Sequence, residues 1–257
     1  MGLANADAHL TPKGWQQAHA LGRHMLDYEI TRTVQLVVIS PLMRTLETAA
    51  GVFGEEEVPC AGATIDGTVG SSSSISEGVL MVAQSEVPQV RYGHGVVRKR
   101  PRLLYLANED CRERLGPSSC DSRRSRAEAS AAFPGVDFSL LKSDVDGRWR
   151  AGAVEPEAEV VFRGREFLQW LMSLPQTNIA VVTHSAFLWF TLSLFGVENA
   201  RPVRERLQRW YENCEMRSVV LGDGGSAQVV AAYNSDYRGG TAVAEPSKEL
   251  MAGGEVR

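Results

Sequence analysis

The chain has 257 residues, of which 44% are hydrophobic and 23% are charged, and its formal net charge is −4. This length can bury a sizeable core and does not require more than one domain. A slightly acidic chain has no general attraction for nucleic acid or for an acidic membrane. No apolar run is long enough to span a bilayer, and the first residues lack the basic and then apolar pattern of a signal peptide. We therefore expect a cytoplasmic protein with no nucleic-acid partner and no membrane partner; the alternative is a targeting segment that is missing together with the front of the chain.

The first predicted element is a helix that begins after Thr11. Threonine is a good N-cap, and Pro12 suits the first helical position because the N–H that proline lacks would have no partner there. Apolar residues then recur at helical spacing. They predict a buried stripe made of Trp15, Ala18, Met25 and Leu26.

Strands and helices alternate along the chain, which predicts a layered α/β domain. Val34 to Ile39 is a continuous apolar strand except for Gln35, and the next helix is predicted to start at Ser40-Pro41. The later predicted elements are an amphipathic helix over 157–173, a strand over 179–183, a helix over 187–195 that is apolar nearly all round and therefore buried, and a closing strand pair at 217–221 and 228–233.

Two parts of the chain carry weaker patterns. Gly, Ser and Thr dominate residues 61–77, and residues 98–102 include four basic side chains. A single short charge run favours a solvated loop, with a localisation or nucleic-acid patch and retained non-coding sequence as the alternatives. We predict one domain over 1–238 with an irregular insertion at 56–106, followed by a flexible tail at 239–257.

The cysteines are scattered, with no C-x-x-C pair and no histidine at ligand spacing. In a reducing compartment such cysteines are structural thiols rather than metal ligands or disulfides. The sequence therefore implies no metal. The four residues are Cys60, Cys111, Cys120 and Cys214.

The most informative residues lie at the ends of two predicted strands. The runs VVISPLMR at 37–44 and AVVTHS at 180–185 each pass from an apolar strand through a hydroxyl residue into a helix, with Arg44 or His184 at the turn. In an open parallel sheet, ligands bind beyond the carboxyl ends of the strands, where helix N-termini offer free N–H groups to anions. An arginine and a histidine at this position indicate a phosphate pocket.

Together with four further segments, these runs resemble the histidine phosphatase superfamily, whose members include cofactor-dependent phosphoglycerate mutases and many phosphatases. The match covers most of residues 7–222 and is interrupted near 56–106. It implies a phosphoglycerate mutase-like fold, an α/β three-layer sandwich with a mostly parallel central sheet. The broadest matches are DAHLTPKGWQQA at 7–18, SPLMRTLET at 40–48 and VTH at 182–184, whereas CRERLG at 111–116, CDSRR at 120–124 and NCEMRSV at 213–219 are similar to the plant phosphoglycerate-mutase-like branch.

The chain departs from this family at its front. In the family a first strand ends in Arg-His-Gly, and that histidine is the nucleophile that becomes phosphorylated. Only six residues precede Asp7 here, so we expect the first strand and its nucleophile to be missing. Arg23-His24 is the alternative nucleophile. It lies about three turns into a predicted helix and is followed by Met25 rather than Gly, so we expect a surface or packing role for it.

The resemblance also implies roles for individual residues. Arg44 and His184 would bind the phosphoryl oxygens, with His184 also part of the catalytic set, and the planar fork of donors on Arg44 suits that role. A carboxylic acid beside the phosphate can have its pKa raised enough to protonate the leaving oxygen. Glu113 matches the family's acid by its position relative to Gly116, and Glu109 is the competing candidate.

Two functions of different classes follow. The first is a phosphoglycerate mutase-like phosphomonoester phosphatase that acts through a phosphohistidine, with the Arg-His-Gly strand upstream of the present start. The second is a catalytically inactive phospholigand-binding or interaction protein. Both imply a small phosphorylated substrate or ligand, and neither implies a metal or another cofactor. The choice between phosphatase and mutase activity and the oligomeric state stay open.

Overall fold

The structure is a computed structural model that describes residues 6–56, 78–83, 94–193, 200–222, 227–228 and 236–239. Its helices are α1 (Pro12–Asp27), α2 (Ile30–Thr33), α3 (Met43–Phe53), α4 (Arg126–Ala132), α5 (Glu157–Ser173), α6 (Ser185–Ser193) and α7 (Arg201–Gln208), with 3-10 turns at Glu109–Cys111 and Ser119–Asp121. Its strands are β1 (Leu36–Ile39), β2 (Glu55–Glu56), β3 (Val79–Met81), β4 (Val97–Arg98), β5 (Leu104–Ala107), β6 (Ile179–Val182), β7 (Val220–Leu221) and β8 (Ala227–Gln228).

Three parallel strands form the central sheet in the order β5-β1-β6. Strand β1 lies in the middle, with Leu36 opposite both Leu104 and Ile179, and all four of its residues are buried. Such continuous apolar strands are typical of parallel sheets that are covered on both faces. Because the three strands run the same way, the residues that follow them meet at one edge of the sheet.

The two faces of β1 pack against different helices. Val37 and Ile39 belong to the core that α1 and α3 cover, whereas Leu36 and Val38 belong to the core that α5 and α6 cover. Successive side chains of a strand point to opposite faces, so this short apolar run supplies both cores. The result is a helix–sheet–helix arrangement, and the predicted α/β sandwich with a parallel central sheet is confirmed.

Helix α1 begins as predicted and carries most of the predicted stripe. The Thr11 hydroxyl accepts the Gly14 N–H at 3.1 Å. Leu26 is 44% exposed, so its assignment to the buried stripe is wrong. It follows Met25 directly and is therefore rotated from it by about 100° around the helix. The stripe residues that are buried are Trp15, Ala18 and Met25, together with Leu21.

Two helix predictions need correction. Helix α3 begins at Met43 rather than at Ser40-Pro41, with Leu42 at the N-cap position. The Ser40 hydroxyl does not cap the helix, because it contacts Nε2 of His184. Helix α6 begins at Ser185 rather than at Phe187, and most of its described side chains are half-buried rather than buried, since only the sides that face α5 and α7 are covered. The buried side chains of α6 are Phe187, Thr191 and Leu192.

The strands other than β1, β5 and β6 lie outside the central sheet. No strand was predicted at Leu104–Ala107, although this segment forms one edge of the central sheet. Strands β2, β4 and β3 form a small antiparallel sheet in that order, and Arg100 of the basic run pairs with Glu55 at 3.1 Å. A closing strand pair is present as predicted, and it is antiparallel, but β7 begins at Val220 rather than at Arg217 and β8 begins at Ala227 rather than at Gln228. Predictions for Cys60, for the Gly-, Ser- and Thr-rich stretch 61–77, for 229–233 and for 240–257 fall outside the described residues.

Other sequence predictions concern thiols and location. Cys111 is buried, Cys120 and Cys214 are half-buried, and all three are free thiols. In the ranges that the structure describes, no helix combines the length and the apolar character needed to cross a membrane. The cytoplasmic location and the domain boundaries stay predictions.

Candidate active site

His184 follows β6 at the carboxyl edge of the central sheet and is 7% exposed. Its Nε2 lies 2.8 Å from the hydroxyl oxygen of Ser40, which follows the neighbouring strand β1. Burial lowers the pKa of this imidazole well below 6.5, and the positive charges of Arg44, Arg112 and Arg163 lower it further. The ring is therefore neutral near pH 7, with one nitrogen that donates and one that accepts.

Arg44 lies in the first turn of α3 and reaches across the crevice to the second 3-10 turn. Its Nη1 donates to the Cys120 carbonyl at 2.7 Å, and its Nη2 donates to Asp121 Oδ1 at 3.2 Å. The Arg44 side chain is 24% exposed, so it is in part accessible to solvent. An entering anion could compete with Asp121 for this fork of donors.

Glu113 follows the first 3-10 turn, and its carboxylate lies at the start of α6. Its Oε1 accepts the N–H groups of Arg114 and Phe187, both at 3.0 Å. Burial raises the pKa of Glu113, and the two backbone hydrogen bonds and the charge of Arg44 offset only part of this effect. The carboxyl group therefore keeps its proton to a higher pH than an ordinary glutamate does, as a general acid requires.

Glu109, the competing acid, has a different environment. Its Oε1 accepts the Arg123 Nε–H at 2.5 Å, and its Oε2 lies 3.4 Å from Arg148 Nε. Glu109 is thus an ion-pair partner of two arginines. This geometry favours Glu113 as the candidate acid.

Asp7 is a member of the crevice that was not predicted as a functional residue. It is buried, its Oδ1 accepts the Met43 N–H at 2.7 Å, and its Oδ2 accepts the Arg124 N–H at 2.9 Å. Burial raises the pKa of Asp7 despite these two bonds and the charges of Arg124 and Arg44. Asp7 therefore joins the start of α3, which carries Arg44, to the segment that carries Arg124.

A second group that was not predicted surrounds His9. Its Nδ1 lies 2.5 Å from Oε1 of the buried Glu47, and its Nε2 lies 2.6 Å from Arg124 Nη2. The other Glu47 oxygen accepts the Leu10 N–H at 2.6 Å. Because arginine can only donate, His9 accepts at Nε2 and carries its proton on Nδ1, towards Glu47. The His9 and Glu47 side chains thus fix the position of Arg124.

His24, the alternative nucleophile, lies within α1. Its ring centroid is 4.5 Å from that of Tyr28 and 5.0 Å from that of Tyr237. These ring contacts agree with the packing role expected for it.

The structure brings Arg44, Glu113 and His184 to one crevice. The charge of Arg44 acts on the pKa of both other groups, and the Phe187 N–H that Glu113 accepts lies three residues after His184. Their chemical roles stay predictions. Among the described side chains, no group of three or more His, Cys, Asp or Glu residues could hold a metal ion.

Comparisons with known proteins point to the same family as the motifs do. Residues 3–62 match the family model of the histidine phosphatase superfamily, branch 1. A phosphoglycerate mutase-like protein of Arabidopsis thaliana is 37% identical over 236 residues, which cover 91% of this chain and 80% of that protein. Phosphoglycerate mutase-like protein 1 of the same plant is 36% identical over 217 residues, covering 84% of this chain and 71% of its own length.

Proposed function

The chain belongs to the histidine phosphatase superfamily, and we propose that its crevice binds a small phosphomonoester and hydrolyses it through a phosphohistidine. The observation that carries this proposal is the meeting of Arg44, His184 and Glu113, whose pKa burial raises, at one edge of the sheet. Phosphoryl transfer needs fixed donors for the phosphate charge and a proton for the leaving oxygen. These three side chains can supply both.

Arg44 and His184 would hold the phosphoryl oxygens. Arg44 contributes a planar fork of donors, and the neutral ring of His184 contributes one N–H. A phosphate dianion beside the ring favours the imidazolium form, so phosphate binding should raise the pKa of His184 from its low value. The donor would then strengthen as the ligand enters.

Glu113 would be the general acid. When the nucleophilic histidine attacks phosphorus, a P–N bond forms, the ester P–O bond breaks, and the leaving oxygen takes the Glu113 proton. Water then attacks phosphorus, the P–N bond breaks, and the Glu113 carboxylate accepts a proton from that water. The products are an alcohol and orthophosphate, and Glu113 regains its starting form.

The nucleophile would come from an Arg-His-Gly strand, a tripeptide that these 257 residues do not contain. Among the described strands, β6 pairs on one side only, with β1. A further parallel strand on the other side of β6 would end at the edge where His184 lies. The open side of β6 therefore supports a neighbouring position for that strand.

The first test begins with the native transcript, read upstream of the Met1 codon in the same frame. If it encodes an apolar strand that ends in Arg-His-Gly, the translated protein should hydrolyse phosphomonoesters and form an acid-labile phosphoenzyme. Replacing the histidine of that strand by alanine should abolish both. A protein that carries this strand and hydrolyses no phosphomonoester would contradict the proposal.

A second test isolates the acid. In the same protein, Glu113→Gln should slow hydrolysis of an alkyl phosphate by about 10²- to 10⁴-fold. Hydrolysis of p-nitrophenyl phosphate should fall much less, because p-nitrophenolate leaves without a proton. Glu109→Gln is the matched control and should affect the two substrates equally. An equal loss on both substrates in Glu113→Gln would rule out Glu113 as the acid.

The missing tripeptide favours a second candidate function, binding of a phospholigand without catalysis. If translation does start at Met1, the 257-residue chain should bind orthophosphate in a calorimetric titration and hydrolyse no phosphomonoester. Arg44→Lys should weaken that binding because lysine lacks the fork of donors. Orthophosphate binding that is absent, or that Arg44→Lys leaves unchanged, would argue against this candidate.

A further inference from the structure

Arg163 lies in the second turn of α5 and is largely buried. Its guanidinium donates five hydrogen bonds, which is one for each of its N–H groups. Nε and Nη2 donate to the two carboxylate oxygens of Glu155, at 2.9 and 2.8 Å. The carbonyls of Asp110, Arg112 and Glu113 accept the other three, at 2.7, 2.9 and 3.3 Å. A guanidinium with every donor used is held in one orientation.

These bonds fix the chain on both sides of the candidate acid. Three of the acceptors are carbonyls within residues 110–113. Beyond Glu113, the Leu115 N–H donates to Glu155 Oε2 at 3.0 Å, and the Glu155 N–H donates to the Leu115 carbonyl at 2.8 Å. The pair formed by Arg163 and Glu155 therefore holds the whole segment 110–115 against the start of α5.

Arg163 also contacts the residue that bonds the acid itself. Its guanidinium carbon lies 5.0 Å from the centroid of the Phe187 ring. The backbone N–H of Phe187 donates to Glu113 Oε1. Arg163 thus contacts both residues that form this hydrogen bond, Glu113 at its backbone carbonyl and Phe187 at its ring.

We infer that Arg163 is a positioning residue that holds the Glu113 carboxyl at the N-terminus of α6. The inference rests on the proposed function, in which Glu113 protonates the leaving oxygen. A small displacement of such a group is enough to lower the rate, because proton transfer requires hydrogen-bond contact. Lysine cannot replace this arginine, since its three donors share one atom and cannot reach three carbonyls and a carboxylate together.

The test follows the Phe187 amide by NMR in the 257-residue chain. Labelling with ¹⁵N-phenylalanine limits the spectrum to eight residues, and the Phe187 signal is the one whose pH titration disappears in Glu113→Gln. We expect this amide to titrate above pH 4.5, since it bonds a carboxyl whose pKa is raised by burial. Arg163→Lys should remove most of the amplitude of this titration, because the carboxyl no longer meets the amide.

The control and the contrary outcomes are specific. Arg165→Lys makes the same substitution on the same helix at an exposed position and should leave the titration unchanged. If Arg163→Lys lowers the melting temperature but leaves the Phe187 titration as in the wild type, the role of Arg163 is structural only and the inference is wrong. If Arg163→Lys does not fold, Glu155→Gln decides, because it keeps Arg163 but removes the carboxylate that orients it. An unchanged titration in Glu155→Gln would equally overturn the inference.

Activity measurements separate this inference from the proposed function. In a protein that carries the Arg-His-Gly strand, Arg163→Lys should lower kcat for an alkyl phosphate by about tenfold or more. It should leave KM and the hydrolysis of p-nitrophenyl phosphate nearly unchanged. If the parent protein hydrolyses neither substrate, the proposed function fails, and the NMR titration still decides whether Arg163 positions Glu113.

Discussion

Replacing His184 should remove a defined part of the pH dependence of folding stability. The ring is buried, and burial together with the charges of three arginines lowers its pKa well below 6.5. In the unfolded chain the same histidine has a pKa of about 6.5. The unfolded state therefore binds more protons between the two pKa values, and the free energy of unfolding falls as the pH falls below 6.5. His184→Gln removes this titration and leaves a polar side chain at the position.

The magnitude follows from proton binding to the unfolded state. Protonation of a histidine with a pKa of about 6.5 stabilises the unfolded state by about 0.2 kcal/mol at pH 7.0 and by about 1.4 kcal/mol at pH 5.5. The folded ring resists protonation over this interval, because burial and the charges of Arg44, Arg112 and Arg163 lower its pKa well below 6.5. The contribution of His184 to the free energy of unfolding should thus decline by about 1.2 kcal/mol from pH 7.0 to 5.5.

Urea unfolding at the two pH values, followed by tryptophan fluorescence, measures this difference. The wild type should lose about 1.2 kcal/mol more than His184→Gln between pH 7.0 and 5.5. Ser40→Ala is the matched control, because it removes the hydroxyl 2.8 Å from the ring and keeps the imidazole. It should cost about 1 kcal/mol at both pH values and retain the wild-type pH dependence. An identical pH dependence in His184→Gln and the wild type would refute the account of a buried neutral imidazole.

Three further predictions concern neighbouring groups. Because the pKa of Glu113 is raised, its stabilising contribution is present below pH 4.5 and is lost as the pH rises. In the same urea series, the free energy of unfolding of Glu113→Gln should therefore rise with pH more steeply than that of the wild type. A shallower rise would contradict this. A methyl group on Gly164 would lie 2.2 Å from Thr191 Oγ1, so Gly164→Ala should cost about 1–3 kcal/mol in thermal unfolding. Adding Thr191→Ala should recover part of that loss, and no recovery would mean that the clash is elsewhere. Asp146 binds the buried Arg112 at 3.0 and 2.8 Å, so Asp146→Asn should destabilise the fold by about 3–5 kcal/mol, whereas an exposed carboxylate replaced in the same way should have little effect.

Elements that depend on local patterns could be predicted from the sequence. Helix α5 spans Glu157–Ser173 as predicted, since its apolar residues keep one helical period from end to end. The strands β1 and β6 follow from short apolar runs that stop at a hydroxyl residue. The ends of these two runs also indicated Arg44 and His184 as site residues, because ligands of a parallel sheet bind beyond the carboxyl ends of its strands.

Contacts between distant parts of the chain could not be predicted in this way. Asp7 bonds the N–H groups of Met43 and Arg124, which lie 36 and 117 residues away, and periodicity carries no information on such pairs. Arg163 shows the same limit. On the helical pattern of α5 it is a charge among apolar neighbours, and only the folded chain brings the carbonyls of segment 110–113 to it. Charged residues on the apolar face of a predicted helix are thus a signal worth following.

Among Arg44, Arg112 and Arg163, the electrostatics of the crevice favour Arg44 as the partner of the proposed phosphate. Arg112 and Arg163 are sealed in buried carboxylate pairs, whereas the Arg44 side chain is 24% exposed. Burial favours the uncharged form of the other two groups, because it lowers the pKa of His184 and raises that of Glu113. A dianion paired with Arg44 would offset the positive charge that lowers both pKa values. Phosphate binding should therefore favour the protonated form of each, which is the form in which His184 donates to the phosphate and Glu113 can protonate a leaving oxygen.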